Sequence, residues 1–214
     1  MRKRITLGFL GTSFLFCSFL FCTSLAMAAP ITLFNTGVNG LGVVLGDAAT
    51  DTHYSIIGTG AGSGITISAI NIPGTYIPNS GSSRWIWQQS DGQPINVTRT
   101  FRMSFDLTGL LPGTASLAGS WATDNFGDDI KINGTSTSQT CGGFSAYCNF
   151  SVNTGFIAGI NTLDFVVRDV GSIAGFRVDA IRGSATAAST TPEPLSLGLV
   201  GIGLAALGLA RRKR

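Results

Sequence analysis

The chain has 214 residues, with 14 Lys and Arg against 11 Asp and Glu and a formal net charge of +3. Arg2, Lys3, Arg4, Arg211, Arg212, Lys213 and Arg214 hold half of the positive charge, so the stretch between Ala29 and Thr191 keeps seven cations against ten Asp, Glu193 being the eleventh acid. That mildly acidic middle excludes the clustered basic face that nucleic-acid binding requires, and the sequence pI of 8.8 describes the two ends.

The N-terminus reads as an export signal. Arg2-Lys3-Arg4 is a basic n-region, residues 5–25 are apolar, and Ala26-Met27-Ala28 offers the small–x–small pattern of signal peptidase. The expectation is a signal peptide over 1–28, cut between Ala28 and Ala29. Phe16 before Cys17 and Phe21 before Cys22 do not suit a lipoprotein leader.

The ectodomain, 29–183, is long enough for one domain with its own core. It is rich in Gly, Thr, Ser, Val and Ile, which favours strands and turns over helices. In chain order, weaker strand candidates fall at 31–34, 53–57, 65–70 and 84–87. Over 100–107 the alternation is strict: Phe101, Met103, Phe105 and Leu107 share one face, and Thr100, Arg102, Ser104 and Asp106 the other. A further candidate covers 115–122. Ile130 and Ile132 then lead into Asn133-Gly134, a hairpin signal because both residues tolerate positive φ. Leu163, Phe165 and Val167 alternate with Asp164, Val166 and Arg168, as Phe176, Val178 and Ala180 do with Arg177, Asp179 and Ile181. Many short strands with turns between them, and no amphipathic helix, predict an all-β sandwich or jelly roll.

Cys141 and Cys148 remain once the leader is removed, and in an exported domain two cysteines favour a disulfide. Zinc is the rival reading, and it needs more N or S ligands than these two and the single histidine, His53, supply. Trp85 and Trp87 lie two apart, hence on one strand face, with Ile86 opposite. They are candidates for stacking on sugar rings, core packing being the alternative. Trp121, Asp124 and Asn125 extend that glycan-contact candidate. Asp124, Asp128 and Asp129 offer oxygen ligands for calcium, without EF-hand spacing; the plainer reading is an acidic turn. No G-x-S-x-G, metal-binding His pair or phosphate loop occurs. An aspartate pair such as Asp124 with Asp164 or Asp179 would suit a glycosidase, a chemistry that leaves no local signature. No cofactor beyond calcium is suggested.

At the C-terminus a small, polar stretch, 184–191, reads as a flexible linker. Pro192-Glu193-Pro194 follows, then an apolar run over 195–210, then Arg211-Arg212-Lys213-Arg214. As a helix the run would be roughly 24 Å long at ~1.5 Å per residue. It reads as a short single transmembrane helix with its basic end in the cytoplasm. This ordered triple resembles the PEP-CTERM sorting signal of Gram-negative bacteria. The resemblance implies recognition by exosortase, cleavage near Pro192–Pro194, and a passage from the inner membrane to the outer surface or extracellular matrix.

The ectodomain also resembles a recurrent domain of PEP-CTERM proteins. The resemblance is carried by Phe34-Asn35-Thr36-Gly37-Val38, Arg84-Trp85-Ile86, Gly119-Ser120-Trp121-Ala122-Thr123-Asp124-Asn125, Ile132-Asn133-Gly134, the run from Gly155 to Phe165, and Gly175-Phe176-Arg177-Val178. It implies an architecture similar to galactose-binding-like sandwiches. The expected function is a non-enzymatic surface or exopolysaccharide-matrix protein, structural or weakly glycan-adhesive, partnered by signal peptidase, exosortase and exopolysaccharide. A dedicated carbohydrate-binding module and a secreted polysaccharide-active enzyme are the alternatives.

Overall fold

The structure is a computed structural model and describes residues 27–188 and 201–204. It contains β1 (Ala28–Pro30), β2 (Thr50–Ile57), β3 (Gly62–Thr66), β4 (Ile86–Trp87), β5 (Thr98–Asp106), β6 (Ser116–Asp124) and β7 (Phe126–Ile132). β8 (Thr135–Ser136), β9 (Cys141–Gly142), β10 (Cys148–Val152), β11 (Ile160–Arg168) and β12 (Gly175–Thr186) follow. The only helices in the span 27–188 are two three-residue 3-10 turns, Ala69–Asn71 and Pro112–Thr114.

Every pairing is antiparallel, in the order β10-β6-β12-β4-β3-β2-β5-β11-β7-β8, with β1 on β12 and β9 on β7. This hydrogen-bonded path folds back on itself. Aromatic side chains of β6, β10 and β12 meet those of β2, β5 and β11: Trp121 lies 5.5 Å from Phe165, Phe150 5.6 Å from Phe165, and Phe101 4.7 Å from Phe176. Two layers therefore face each other, with the short β3 and β4 at the bend, and the fold is an all-β sandwich of jelly-roll type. β9 stitches the other flank, pairing with β7 while the Gly143 carbonyl accepts from the Thr123 amide of β6 at 3.1 Å. The Cys141–Cys148 disulfide ties β9 to β10, with Cα atoms 5.6 Å apart.

The alternation read over 100–107 holds: Phe101, Met103, Phe105 and Leu107 are buried. β5 pairs β11 along its whole length, from Ile160 opposite Asp106 to Arg168 opposite Thr98. The hairpin holds too, since Asn133 and Gly134 both have positive φ, 49° and 82°, between β7 and β8. The alternation expected at Phe176, Val178 and Ala180 breaks. The β12–β6 register shifts between Asp179 and Arg182, Ala180 has φ 51°, and it faces solvent. Asn35 fills that irregularity: its Nδ2 donates to Asp179 at 3.1 Å, and its Oδ1 accepts from the Ile181 amide at 3.1 Å.

Paired strands overlap both expected boundaries. The linker expected at 184–191 begins inside β12, where Ala28, Ala29 and Pro30 pair with Thr186, Ala185 and Ser184. Ala185 is buried; small side chains that cannot form a core alone can still pack as an edge of an existing one. The expected cleavage point between Ala28 and Ala29 thus falls within β1. Residues 1–26, the Pro192-Glu193-Pro194 motif, Arg211–Arg214 and the apolar run outside 201–204 lie outside the described residues. Residues 201–204 are helical, and among the described residues no helix is long and apolar enough to cross a membrane.

Candidate functional site

Of the residues singled out for glycan contact, Trp121, Asp124 and Asn125 lie on β6 and at the corner where it crosses to β7, while Trp85 and Trp87 belong to the β4 segment, and the three tryptophans face inward. Trp85, Trp87 and Trp121 have no solvent exposure. The Trp85 indole N–H donates to the Ile77 carbonyl at 2.8 Å and that of Trp87 to the Pro94 carbonyl at 3.0 Å. Trp121 lies so close over the Gly127 backbone that a Cβ there would sit 2.3 Å from its ring, so only glycine fits. No indole face is open to a sugar, and the core reading replaces the stacking one. The two-residue spacing of Trp85 and Trp87 placed them on one face, but both faces of this short strand are covered, as the complete burial of Ile86 between them shows.

The acidic cluster also separates. Asp124 is buried against the Tyr76 hydroxyl. The Asn125 side-chain oxygen accepts from the Val170 amide at 2.7 Å. The β7–β11 register shifts between Val166 and Val167, leaving Asp128 as the extra residue. Its carboxylate takes a two-point ion pair from Arg168 at 2.9 and 3.0 Å, and the Arg168 guanidinium lies 4.5 Å above the Phe126 ring. Asp129 instead accepts from the Ser138 amide at 3.2 Å. The calcium set of Asp124, Asp128 and Asp129 is therefore not assembled: a bulge and a corner send the three carboxylates to three different partners. Among the described residues no three His, Cys, Asp or Glu side chains converge as metal ligands.

The aspartates offered as glycosidase partners are occupied as well. Asp164 is buried in a bidentate pair with Arg102, both contacts at 2.7 Å, and the bond to Asp164 raises the Arg102 pKa. Asp179 accepts from Asn35, Ser82 and Tyr147.

The open polar surface lies elsewhere, on the outer face of the layer containing β2 and β5. Period-two alternation sends Ser55, Arg102 and Asp164 to this face in one register row, where Lys131 of β7 continues it. Beside that row a groove of about 220 Å³ is lined by Phe34, Thr52, His53, Ser55, Arg102 and Ser104, with Met103. His53 stacks on Phe34 with ring centroids 3.7 Å apart and planes 18° off parallel, and its Nδ1 lies 3.1 Å from the Val38 carbonyl. Below it Asp51 is buried and accepts the Gly37 and His53 amides at 2.6 and 2.8 Å. Burial raises the Asp51 pKa, those amide bonds opposing it. Chemically the groove presents hydroxyls, an imidazole edge and a guanidinium already neutralised by Asp164. It suits hydrogen bonding to a polyhydroxylated ligand and brings no aspartate to its lining. Sequence reading passed over it because Thr52, Ser55 and Ser104 are ordinary strand residues; only the pairing of β2 with β5 makes them neighbours.

No family model matches the chain, and no curated protein matches it. Among solved structures it is similar to the CBM35 of Paenibacillus barcinonensis, at 17% identity over 65% of this chain and 96% of that one, with a TM-score of 0.34. It is similar to the family 35 carbohydrate binding module from Clostridium thermocellum, at 17% identity over 64% of this chain and 94% of that one, with a TM-score of 0.36. Likeness at this level assigns neither a family nor a ligand.

Proposed function

We propose that the chain is an exported, non-catalytic sandwich of the galactose-binding-like kind that adheres to neutral polysaccharide through the outer-face groove. The observation that carries this reading is the composition of that groove: Thr52, Ser55 and Ser104 hydroxyls with the His53 edge and Arg102 over an open strand face. Donors and acceptors spaced along strands match the hydroxyls of an extended glycan chain, and a shallow groove admits a polymer that a closed pocket would refuse. The experiment is retention of the purified chain on a panel of immobilised polysaccharides, wild type against Ser104→Trp, which fills the groove from an exposed position. Saturable retention on at least one polysaccharide, lost in the variant while its thermal melt is unchanged, is expected. No retention on any polysaccharide, or equal retention by the variant, refutes the reading.

Delivery to the surface rests on the termini. Pro192-Glu193-Pro194 before an apolar run and four cations supports exosortase sorting, because Pro-x-Pro keeps Glu193 in a stiff, extended segment. In fractionated exosortase-positive cells Glu193→Ala should accumulate with its tail uncut. A wild-type chain that keeps its tail equally would remove exosortase from the account.

A further inference from the structure

The corner between β6 and β7 holds a proton-counting problem that the groove does not touch. Tyr76, from the loop before β4, places its hydroxyl against Asp124 Oδ2 and 3.1 Å from the Ile173 carbonyl. Both neighbours are acceptors, and a phenol has one proton to give. Asp124, Asp169 and Tyr76 are all buried, with 4%, 1% and 4% of their surface exposed. Oδ1 of Asp124 and Oδ1 of Asp169 have no hydrogen-bond partner among the described residues, and two buried carboxylates in each other's field do not both ionise readily.

The two acids are not equivalent. Oδ2 of Asp169 accepts the Asn96 amide at 2.6 Å and the Gly171 amide at 3.2 Å. Among the described residues Asp124 receives no backbone amide, and no Lys or Arg forms an ion pair with it. Burial, the Asp124 contact and the neighbouring Asp124 and Asp169 charges push the Tyr76 phenol far above its usual range, so it stays protonated. The dissociable proton at this junction is that of Asp124.

We infer that Asp124, Tyr76 and Ile173 form a proton-operated latch: protonated Asp124 donates to the Tyr76 oxygen, which donates to the Ile173 carbonyl, and loss of the Asp124 proton opens the link. The latch joins three segments distant in sequence: the loop carrying Tyr76, the corner at Asp124 and the β11–β12 connection. When Asp124 ionises, Tyr76 must turn its one proton to the carboxylate. The Ile173 carbonyl then loses its donor, and two buried anions are left facing each other. The Tyr76 ring also lines a second groove of about 240 Å³ with Ala69, Ile72, Pro73 and Pro78, so the latch sets one wall of that surface.

The direction with pH follows. Burial pushes the Asp124 carboxyl up to about 6 from its ordinary 3.8; a hydrogen bond from Tyr76 would lower it, and the Asp169 charge raises it again. A folded-state value above the unfolded one gives stability that is full below the unfolded value and lost as pH rises through the folded one. Across that window the folding equilibrium constant should fall by about a hundredfold from this group alone.

The test is denaturant unfolding of the purified full-length chain from pH 4 to pH 8, wild type against Asp124→Asn. The amide can donate to Tyr76 at every pH. The variant should lack the hundredfold fall and should be the more stable protein above pH 7. Infrared spectra of the wild type should show a buried protonated-carboxyl band at pH 5 that fades by pH 8 and is absent from Asp124→Asn at both. Superimposable pH profiles for the two proteins, or no such band in the wild type at pH 5, overturn the latch. A variant that fails to fold leaves the wild-type band to decide.

Discussion

The β5–β11–β7 face and the opposite margin around Arg177 are built on different principles. The first is a regular ladder: residues pair in register from Ile160–Asp106 to Arg168–Thr98, every second side chain enters the core, and polar residues line the outside. The second is the loop 77–83, which belongs to no strand and lies over Arg177 of β12, itself paired with Ala122 of β6. Arg177 is buried, and its guanidinium reaches the Pro78 carbonyl at 2.6 Å, the Ile77 carbonyl at 3.2 Å, Ser83 Oγ at 2.8 Å and Ser80 Oγ at 2.9 Å. Burial lowers its pKa; Tyr147 and Asp179 pull the other way. An irregular loop cannot satisfy its own carbonyls as a strand pair does, so a single multi-donor side chain does it from below. The regular face spreads its stability over many equivalent contacts, whereas the loop margin concentrates it in one residue.

Three variants test that contrast. The largest effect belongs to the ladder's centre. Phe165 touches Trp121, Phe150, Phe176 and Tyr54 across both layers, and Phe165→Ala should cost about 3–5 kcal/mol. Denaturant unfolding should show that loss as one cooperative transition, because the cavity lies between the two layers. Next is Arg177→Met, which keeps the apolar stem and removes the donors. Leaving the loop carbonyls unpaired should cost about 2–3 kcal/mol. Its signature differs: limited proteolysis should cut within 77–83 before the rest of the domain unfolds. Global unfolding with no early cut would mean that the loop is held by more than Arg177. An effect no larger than that is expected for Cys141→Ser with Cys148→Ser, measured by thermal melting. The bridge closes a short loop, and the chain-entropy model gives about 2.5 kcal/mol. A loss near zero would show that the pairing of β9 with β7 already fixes that segment.

The same contrast explains what could be read ahead of the structure. Strands 100–107 and 163–167 were legible because each sends its large apolar side chains to one face, so hydrophobicity reports orientation with period two. The Asn133-Gly134 turn was legible because positive φ restricts residue choice locally. β10 was passed over: Phe150 and Val152 are its only buried residues, too short a pattern to stand out. Ser184–Thr186 read as linker because polarity and small size were taken as inability to pack, yet β1 and the Leu111 amide, which donates to the Thr186 carbonyl, give those residues partners.

The candidate site divides along the same line. Sequence identified the residue types of the Trp121–Asp129 region but not their direction, since a bulge at Asp128 and the corner at Asp124 are set by β11 and by Tyr76, far away in the chain. Trp85 and Trp87 could be assigned to one face, but burial depends on what covers a face, and both faces of that strand are covered. Arg177 gave no signal at all. A charged residue within an alternating strand reads as solvent-facing, and only the loop folded over it supplies the oxygens that make its burial tolerable.

By itself the sequence determined the all-β class, the central strand faces, the tight hairpin and the pairing of Cys141 with Cys148. Each of these follows from backbone preference, from period-two hydrophobicity, or from two thiols in a domain whose N-terminus reads as an export signal. Tertiary structure decided the rest: that the tryptophans are core, that the aspartates are dispersed, that an Arg stands in for missing ladder bonds, and that ordinary Thr and Ser residues share a groove. Those properties depend on which residues meet across tens of positions, and local pattern carries no information about partners brought together only when the two layers close.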